Sequence, residues 1–203
     1  GRGKPLPFYN GAHMNIFILD ENPIKAAQQQ CDKHVVKMVL ESAQMLSTVH
    51  RVLDGTLTRI PSKSGKTMVK AWVLPDSREN ILYKAVHVGH PCTQWTMESL
   101  SNYAWHYDHF EALAIEYEYR YGKKHKSYVD LEYALSIPPK NIRQDIGQTP
   151  FKLAMGAAPE CINESDPVGS YRAFYQTKQD RFSMDWTKRS VPDWFTVKES
   201  SYA

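Results

Sequence analysis

The chain has 203 residues, of which 42% are apolar and 12% aromatic, with 25 basic against 22 acidic side chains and a net charge of +3. That length and composition suit one packed domain rather than a disordered or fibrous chain. The small positive charge excludes a polycationic arm, the three cysteines (Cys31, Cys92, Cys161) exclude a disulfide framework, and no apolar run approaches the ~18 residues of a membrane span. The widely spaced, odd cysteines form no CxxC and suit a reducing, cytoplasmic setting.

Residues 1–13, GRGKPLPFYNGAH, read as a cloning leader, with Met14 as the native start of a single helical domain over 14–203. Met14–Leu19, MNIFIL, is a short apolar run that predicts a buried strand or an extended lead-in. Asn22-Pro23 is a helix start, and no Gly or Pro follows until Gly55, so one long helix is expected from Asn22 to His50. On a 3.6-residue wheel this helix is apolar nearly all round. A thin polar stripe remains: Gln30, His34, Lys37, Glu41 and Gln44. The stripe has two readings. It is a solvent edge with an ordinary i,i+4 pair, or the wall of a cleft with Glu41 as a proton-transfer or charge-stabilising group beside Lys37 or His34.

Residues 55–80 read as a polar, loop-rich excursion with a short strand at Thr67–Leu74. Ser64-Gly65-Lys66-Thr67 imitates the end of a phosphate loop but lacks the glycine five residues earlier. Ser77–Val88 reads as a short helix, and Pro91–Tyr121 as an amphipathic helix or a closely spaced pair, stopped by Gly122. The basic run around that stop is either a solvated loop or a phosphate-contacting patch. A short helix capped by Ser127 is expected over Asp130–Leu135, then a long irregular crossing over 137–166. Asp166-Pro167 opens a last helix. The expected fold is therefore mainly α, a helical bundle around a central buried helix with at most one or two short strands.

His87-x-x-His90 and His106-x-x-His109 each place two imidazoles one turn apart, but neither matches HExxH and no carboxylate completes a ligand set, so no metal is expected. No GxSxG is present. The stripe, the scattered cations and the aromatic surfaces together suit an enzyme acting on a base in nucleic acid. Such an enzyme needs phosphate-binding cations, an apolar wedge and a carboxylate at the sugar–base bond.

Asp32–Glu41, DKHVVKMVLE, resembles the first helix of the phage pyrimidine-dimer DNA glycosylases of the endonuclease V type. Asp32, His34 and Glu41 stand at that family's Asp, His and catalytic Glu. A later stretch, His90 and then EALAIEYEYRYG with Glu111, Glu116, Arg120 and Gly122, is similar to the family's later helix. Residues 14–195 also resemble a family of tailed-phage proteins through the blocks CDKHVVKM, RYGKKHKS and VPDWF. The resemblance implies a phage DNA glycosylase, with or without lyase activity, working without a cofactor in the host cytoplasm as a monomer on double-stranded DNA.

It implies Glu41, Lys37 and His34 as catalytic residues, with Asp32, Lys33, Gln30 and Gln44 around the substrate. Phosphates would fall to Arg120, Lys123, Lys124, Lys126, Arg172, Lys178 and Arg181. Leu40 and Gln44 stand where that family has arginines, and Asn15 follows Met14, so dimer recognition and an N-terminal amine nucleophile are not expected to carry over. Lys37 is then the available amine. Two alternatives stay open: a transferase that hypermodifies a DNA base on the same scaffold, and a non-catalytic phage protein that binds DNA or a host defence protein.

Overall fold

In the computed structural model, residues 14–199 are described; the leader assignment for residues 1–13 lies outside them. The expected mainly α architecture is found, with six α-helices and one two-stranded sheet among the described residues. They are α1 (Pro23–Gln28), α2 (Asp32–Asp54), β1 (Thr56–Pro61), β2 (Met68–Val73), α3 (Pro91–Glu98), α4 (Leu100–Tyr121), α5 (Lys126–Ser136) and α6 (Pro167–Thr177). Helix α2 packs on α3, α4 and α5, and α1 lies along α4. Thirteen of the 23 residues of α2 are buried, as the near-continuous apolar surface requires.

The first helix is two helices, not one. Asn22 Oδ1 accepts from the amides of Ile24 and Lys25 and starts α1, which ends at Gln28. Cys31 is extended (φ −69°, ψ 164°) and precedes α2. No breaker residue marks this interruption. Tertiary bonds hold it open instead: Cys31 N–H donates to Tyr175 Oη at 2.8 Å, Trp186 Nε1 donates to Gln29 O at 2.8 Å, and Arg120 donates to Gln28 O at 3.0 Å. These partners satisfy groups that a continuous helix would have bonded internally.

Met14–Leu19 is buried, yet forms no strand. Its backbone is bonded by side chains rather than by a neighbouring strand. Gln30 Nε2 donates to Ile16 O, Phe17 N–H donates to Asn15 Oδ1, and Arg172 Nε donates to Leu19 O. Phe17 takes a positive φ of 54°. For a bulky side chain that conformation is strained, and it persists only where surrounding structure imposes it.

The expected helix over Ser77–Val88 is a single 3₁₀ turn, Ser77–Asn80. Arg51 explains the difference. Its buried guanidinium donates to the carbonyls of Trp72, Glu79, Leu82 and Tyr83 and to the Glu79 carboxylate. The carbonyls of Glu79, Leu82 and Tyr83 point at this guanidinium rather than along a helix ladder. The expected strand near 67–74 is β2, paired antiparallel to β1 with Thr56 opposite Val73 and Pro61 opposite Met68; β1 falls in the stretch read as loop. Gly55 joins α2 to this hairpin at close quarters. A Cβ there would lie 2.4 Å from Arg51 O and 3.1 Å from Val73 O. Gly55→Ala is therefore expected to destabilise by about 1–3 kcal/mol, read as a lower urea midpoint with an unchanged m-value.

The closely spaced pair in 91–121 is α3 and α4, divided at Ser99, whose hydroxyl caps α4 through Asn102 N–H. Gly122 (φ 72°) ends α4 as expected. Helix α5 starts earlier than expected, at Lys126, because His125 Nδ1 accepts from Ser127 N–H while Ser127 turns inward to Tyr83 Oη. Asp166 caps α6 through Gly169 N–H. The 137–166 crossing is irregular, as read, apart from the 3₁₀ turn Pro159–Cys161. It is fastened through Thr149, which bonds Trp95 and Asn102.

Candidate active site on the polar stripe of α2

Along the outer face of α2, Lys33, Val36, Lys37 and Leu40 are exposed, while Glu41 and Gln44 are half-buried. Lys37 Nζ lies 3.6 Å from Glu41 Oε1, but the two head groups differ: the Lys37 side chain is 44% exposed and that of Glu41 only 12%. Glu41 Oε2 is buried with no hydrogen-bond partner. Burial pushes the Glu41 carboxyl up to about 7, against the opposing pull of the Lys37 ammonium. A solvent-edge ion pair does not leave a carboxylate oxygen buried and unbonded, because that costs free energy without return. A carboxyl poised near neutrality is what general acid–base chemistry requires. The buried oxygen of Glu41 therefore departs from a plain solvent-edge ion pair.

Beside the stripe lies an aromatic nest. The His34 ring stacks on Phe17, with centroids 4.4 Å apart and planes at 13°. Tyr175 and Phe182 meet the same imidazole edge-on. His34 Nδ1 is 2.8 Å from Tyr175 Oη, which already accepts from Cys31 N–H, so the tyrosine donates and His34 accepts. Burial holds the imidazole down to about 3, helped by the charges of Lys178, Lys37 and Lys33. His34 is thus a neutral imidazole that fixes Phe17 and Tyr175, not a proton carrier near neutral pH. Lys178 borders the same nest, 4.3 Å over Phe174 and 5.8 Å from the centroid of Phe17.

Cations border both sides. His125 Nε2–H donates to Val36 O at 3.2 Å, which sets the basic loop of Lys123, Lys124 and Lys126 against the outer face of α2. On the other side Lys33 lies 4.4 Å over Phe182, and Arg181 follows Lys178 by one 3₁₀ turn. Lys126 pairs with Asp130. Among the described residues Lys33, Lys123, Lys124, Lys178 and Arg181 have no carboxylate within ion-pair distance. An uncompensated set of this kind can meet anions such as phosphates.

Four residues assigned to substrate or phosphate from the sequence sit elsewhere. Arg120 is turned fully inward: Nε meets Glu116 at 2.8 Å, one terminal nitrogen meets Asp32 at 3.0 Å, and the other meets Gln28 O. Nothing of its guanidinium is left for a phosphate. Asp32 serves that network and accepts from Thr187 N–H and Oγ1–H, so it is a structural carboxylate. Gln30 is fully buried between Ile16 O and His109. Arg172 is half-buried against Leu19 O, Asp20 and the Trp194 ring. Conversely, Phe17, Phe174 and Tyr175 build the nest; the apolar run Met14–Leu19 and the apolar face of the helix opened by Asp166-Pro167 are the sequence features that carry them.

The histidine pairs do not converge either. His106 lies between Thr96 and Ser42, and His109 between Pro23 O and Gln30; both are fully buried. Among the described residues no group of three or more His, Cys, Asp or Glu is placed to hold an ion. A groove of about 430 Å³ between α1 and α4, lined by Ile24, Asp108, Ile115 and Tyr119 among others, receives none of the stripe residues. No described helix is long and apolar enough to cross a membrane. No family model, no curated protein and no solved structure matches the chain.

Proposed function

We propose that the chain is a DNA N-glycosylase that acts on a damaged or modified pyrimidine flipped out of double-stranded DNA. The observation that carries this reading is the Glu41 carboxyl: half-buried, pushed up to about 7, one oxygen unbonded, and paired through the other with Lys37. Breaking a sugar–base bond builds positive charge at C1′, and an ionised carboxylate facing it stabilises that charge or activates the attacking water. Glu41 in its anionic form takes this role. Lys37 holds the carboxylate in place and supplies positive charge for the departing base. Lys33, Lys123, Lys124 and Arg181 bind the phosphates that position the flipped nucleotide. No cofactor is called for.

The test is base release, measured by mass spectrometry, from duplexes carrying a cyclobutane dimer, uracil, 5-hydroxymethyluracil or 5-hydroxymethylcytosine. Glu41→Gln is expected to slow release by at least about 100-fold while leaving DNA affinity unchanged. Undiminished release in that variant sinks the reading, as does absence of release from every duplex with DNA binding intact. Binding itself is expected to weaken steeply with salt. If all four cations touch phosphates, the slope of log K against log salt is about −3 to −4.

A further inference from the structure

We infer that Lys178 is the amine nucleophile of this site and condenses with an aldehyde carbon, the ring-opened C1′ of a deoxyribose that has lost its base. The choice of aldehyde rests on the base-excision reading; the identity of the amine rests on the nest alone. Lys178 is only 8% exposed, yet while its backbone is bonded within its own turn, its ammonium meets no carboxylate among the described residues. Lysines are rarely buried unless they are paired. Here the head group faces the rings of Phe174 and Phe17. The groups whose charge reaches it are Lys37 of α2, Cys31 at the break before α2, and Arg181 of its own turn; its own charge is felt in turn at His34 of α2. Lys37, by contrast, is 44% exposed and held by Glu41.

A desolvated lysine beside other cations is the arrangement that frees an amine for imine chemistry. Burial, then Arg181 and Lys37, bring the Lys178 ammonium down to about 8. About a tenth of it is then free amine at pH 7, against well under a thousandth for an ordinary lysine. The step balances without an oxidant. The Nζ lone pair attacks C1′, the carbonyl oxygen takes a proton, and the carbinolamine loses water as the C=N bond forms. Products are one imine and one water. Borohydride delivers hydride to the imine carbon and leaves a secondary amine that survives denaturation.

The experiment uses the full chain, a duplex with a preformed abasic site, and borohydride, with the adduct located by peptide mass spectrometry. The expected adduct is on Lys178, forming faster as pH rises and levelling off near pH 8. Lys178→Met is expected to cut trapping at least about 100-fold with an unchanged or higher melting temperature, because the thioether fills the nest without a desolvated charge. Lys178→Arg keeps the positive charge and DNA affinity and is expected to lose trapping as completely. An adduct on Lys37 or elsewhere, trapping retained in both variants, or no adduct on bound abasic DNA overturns the assignment. The preformed abasic site separates the two proposals. Trapping at Lys178 with no release of any intact base removes the glycosylase reading and leaves the nucleophile; base release with no Lys178 adduct does the reverse.

Discussion

Replacing Glu116 with Gln is expected to lower the unfolding free energy by about 3–5 kcal/mol, the largest loss for any single substitution considered. The Glu116 side chain is 2% exposed and that of Arg120 is 0% exposed. Glu116 Oε2 accepts from Arg120 Nε and Arg189 Nε, and Oε1 accepts from Arg189 at 2.9 Å. An amide at this position keeps one acceptor for the shared Oε2 site, turns a donor toward Arg189, and leaves Arg120 neutralised only by Asp32. The same guanidinium closes the end of α1 through Gln28 O, so the loss extends to the α1–α2 break. Arg189→Gln tests the origin of the effect. Its side chain is one third exposed, and its loss still leaves the Glu116–Arg120 pair, so the expected cost is about 1 kcal/mol. Urea unfolding of the two variants checks both numbers. Equal costs would contradict a penalty that arises from a buried, unpaired charge.

Acidification from pH 7 to pH 5 is expected to remove about 4 kcal/mol, and native near-ultraviolet circular dichroism should be lost between about pH 4 and 5. Buried imidazoles carry this; three of them set the figure, and His106, held well below the usual value by burial, acts in the same direction. His34 is held down to about 3, and His50 and His109 to about 4, each chiefly by burial. The bonding logic gives each a fixed neutral tautomer. Tyr103 donates to Leu135 O and so accepts from His50 Nε2–H, leaving His50 Nδ1 to accept from Arg78. His109 Nδ1–H donates to Pro23 O, and Nε2 accepts from Gln30. A second proton on either ring would set donor against donor.

With folded values below the ordinary 6.5, the unfolded chain takes up these protons first. The stability is therefore complete above pH 6.5 and is lost as pH falls towards 4. At about 1.4 kcal/mol per pH unit, each ring has cost about 2 kcal/mol by pH 5. Glu41 works in the opposite sense. Its value is raised to about 7, so its burial costs stability above pH 4.5, and acidification to pH 5 returns about 2 kcal/mol. Glu41→Gln should therefore flatten the approach to neutral pH while leaving the acid limb in place. A fully native spectrum at pH 4 would contradict this account.

Apolar periodicity and cap residues made much of the helical framework legible. Asn22-Pro23, Asp166-Pro167 and Gly122 each act on their own next few residues, and the structure places helix boundaries at all three. The segments that depart from expectation are those whose backbone is bonded by side chains distant in sequence. Gln29–Cys31 opens because Trp186, Tyr175 and Arg120 claim its neighbourhood. Leu82 and Tyr83 stay out of a helix because Arg51 takes their carbonyls. Met14–Leu19 stays out of a sheet because Gln30, Asn15 and Arg172 bond it.

By itself, the sequence determined that α2 is a core helix with a thin polar stripe, and that Lys37 and Glu41 share it one turn apart. Helical spacing settles both, since i and i+4 lie on one face whatever packs around them. Only the tertiary structure decided what each polar residue faces. It buried one oxygen of Glu41 without a partner and made His34 a neutral wedge between Phe17 and Tyr175. It spent Arg120 and Asp32 on an internal network and drew Lys178 into an aromatic nest. The physical reason is that a charge's role depends on its solvation and its partners. Those come from α4, α6 and the C-terminal segment, elements up to about 150 residues away from α2 along the chain.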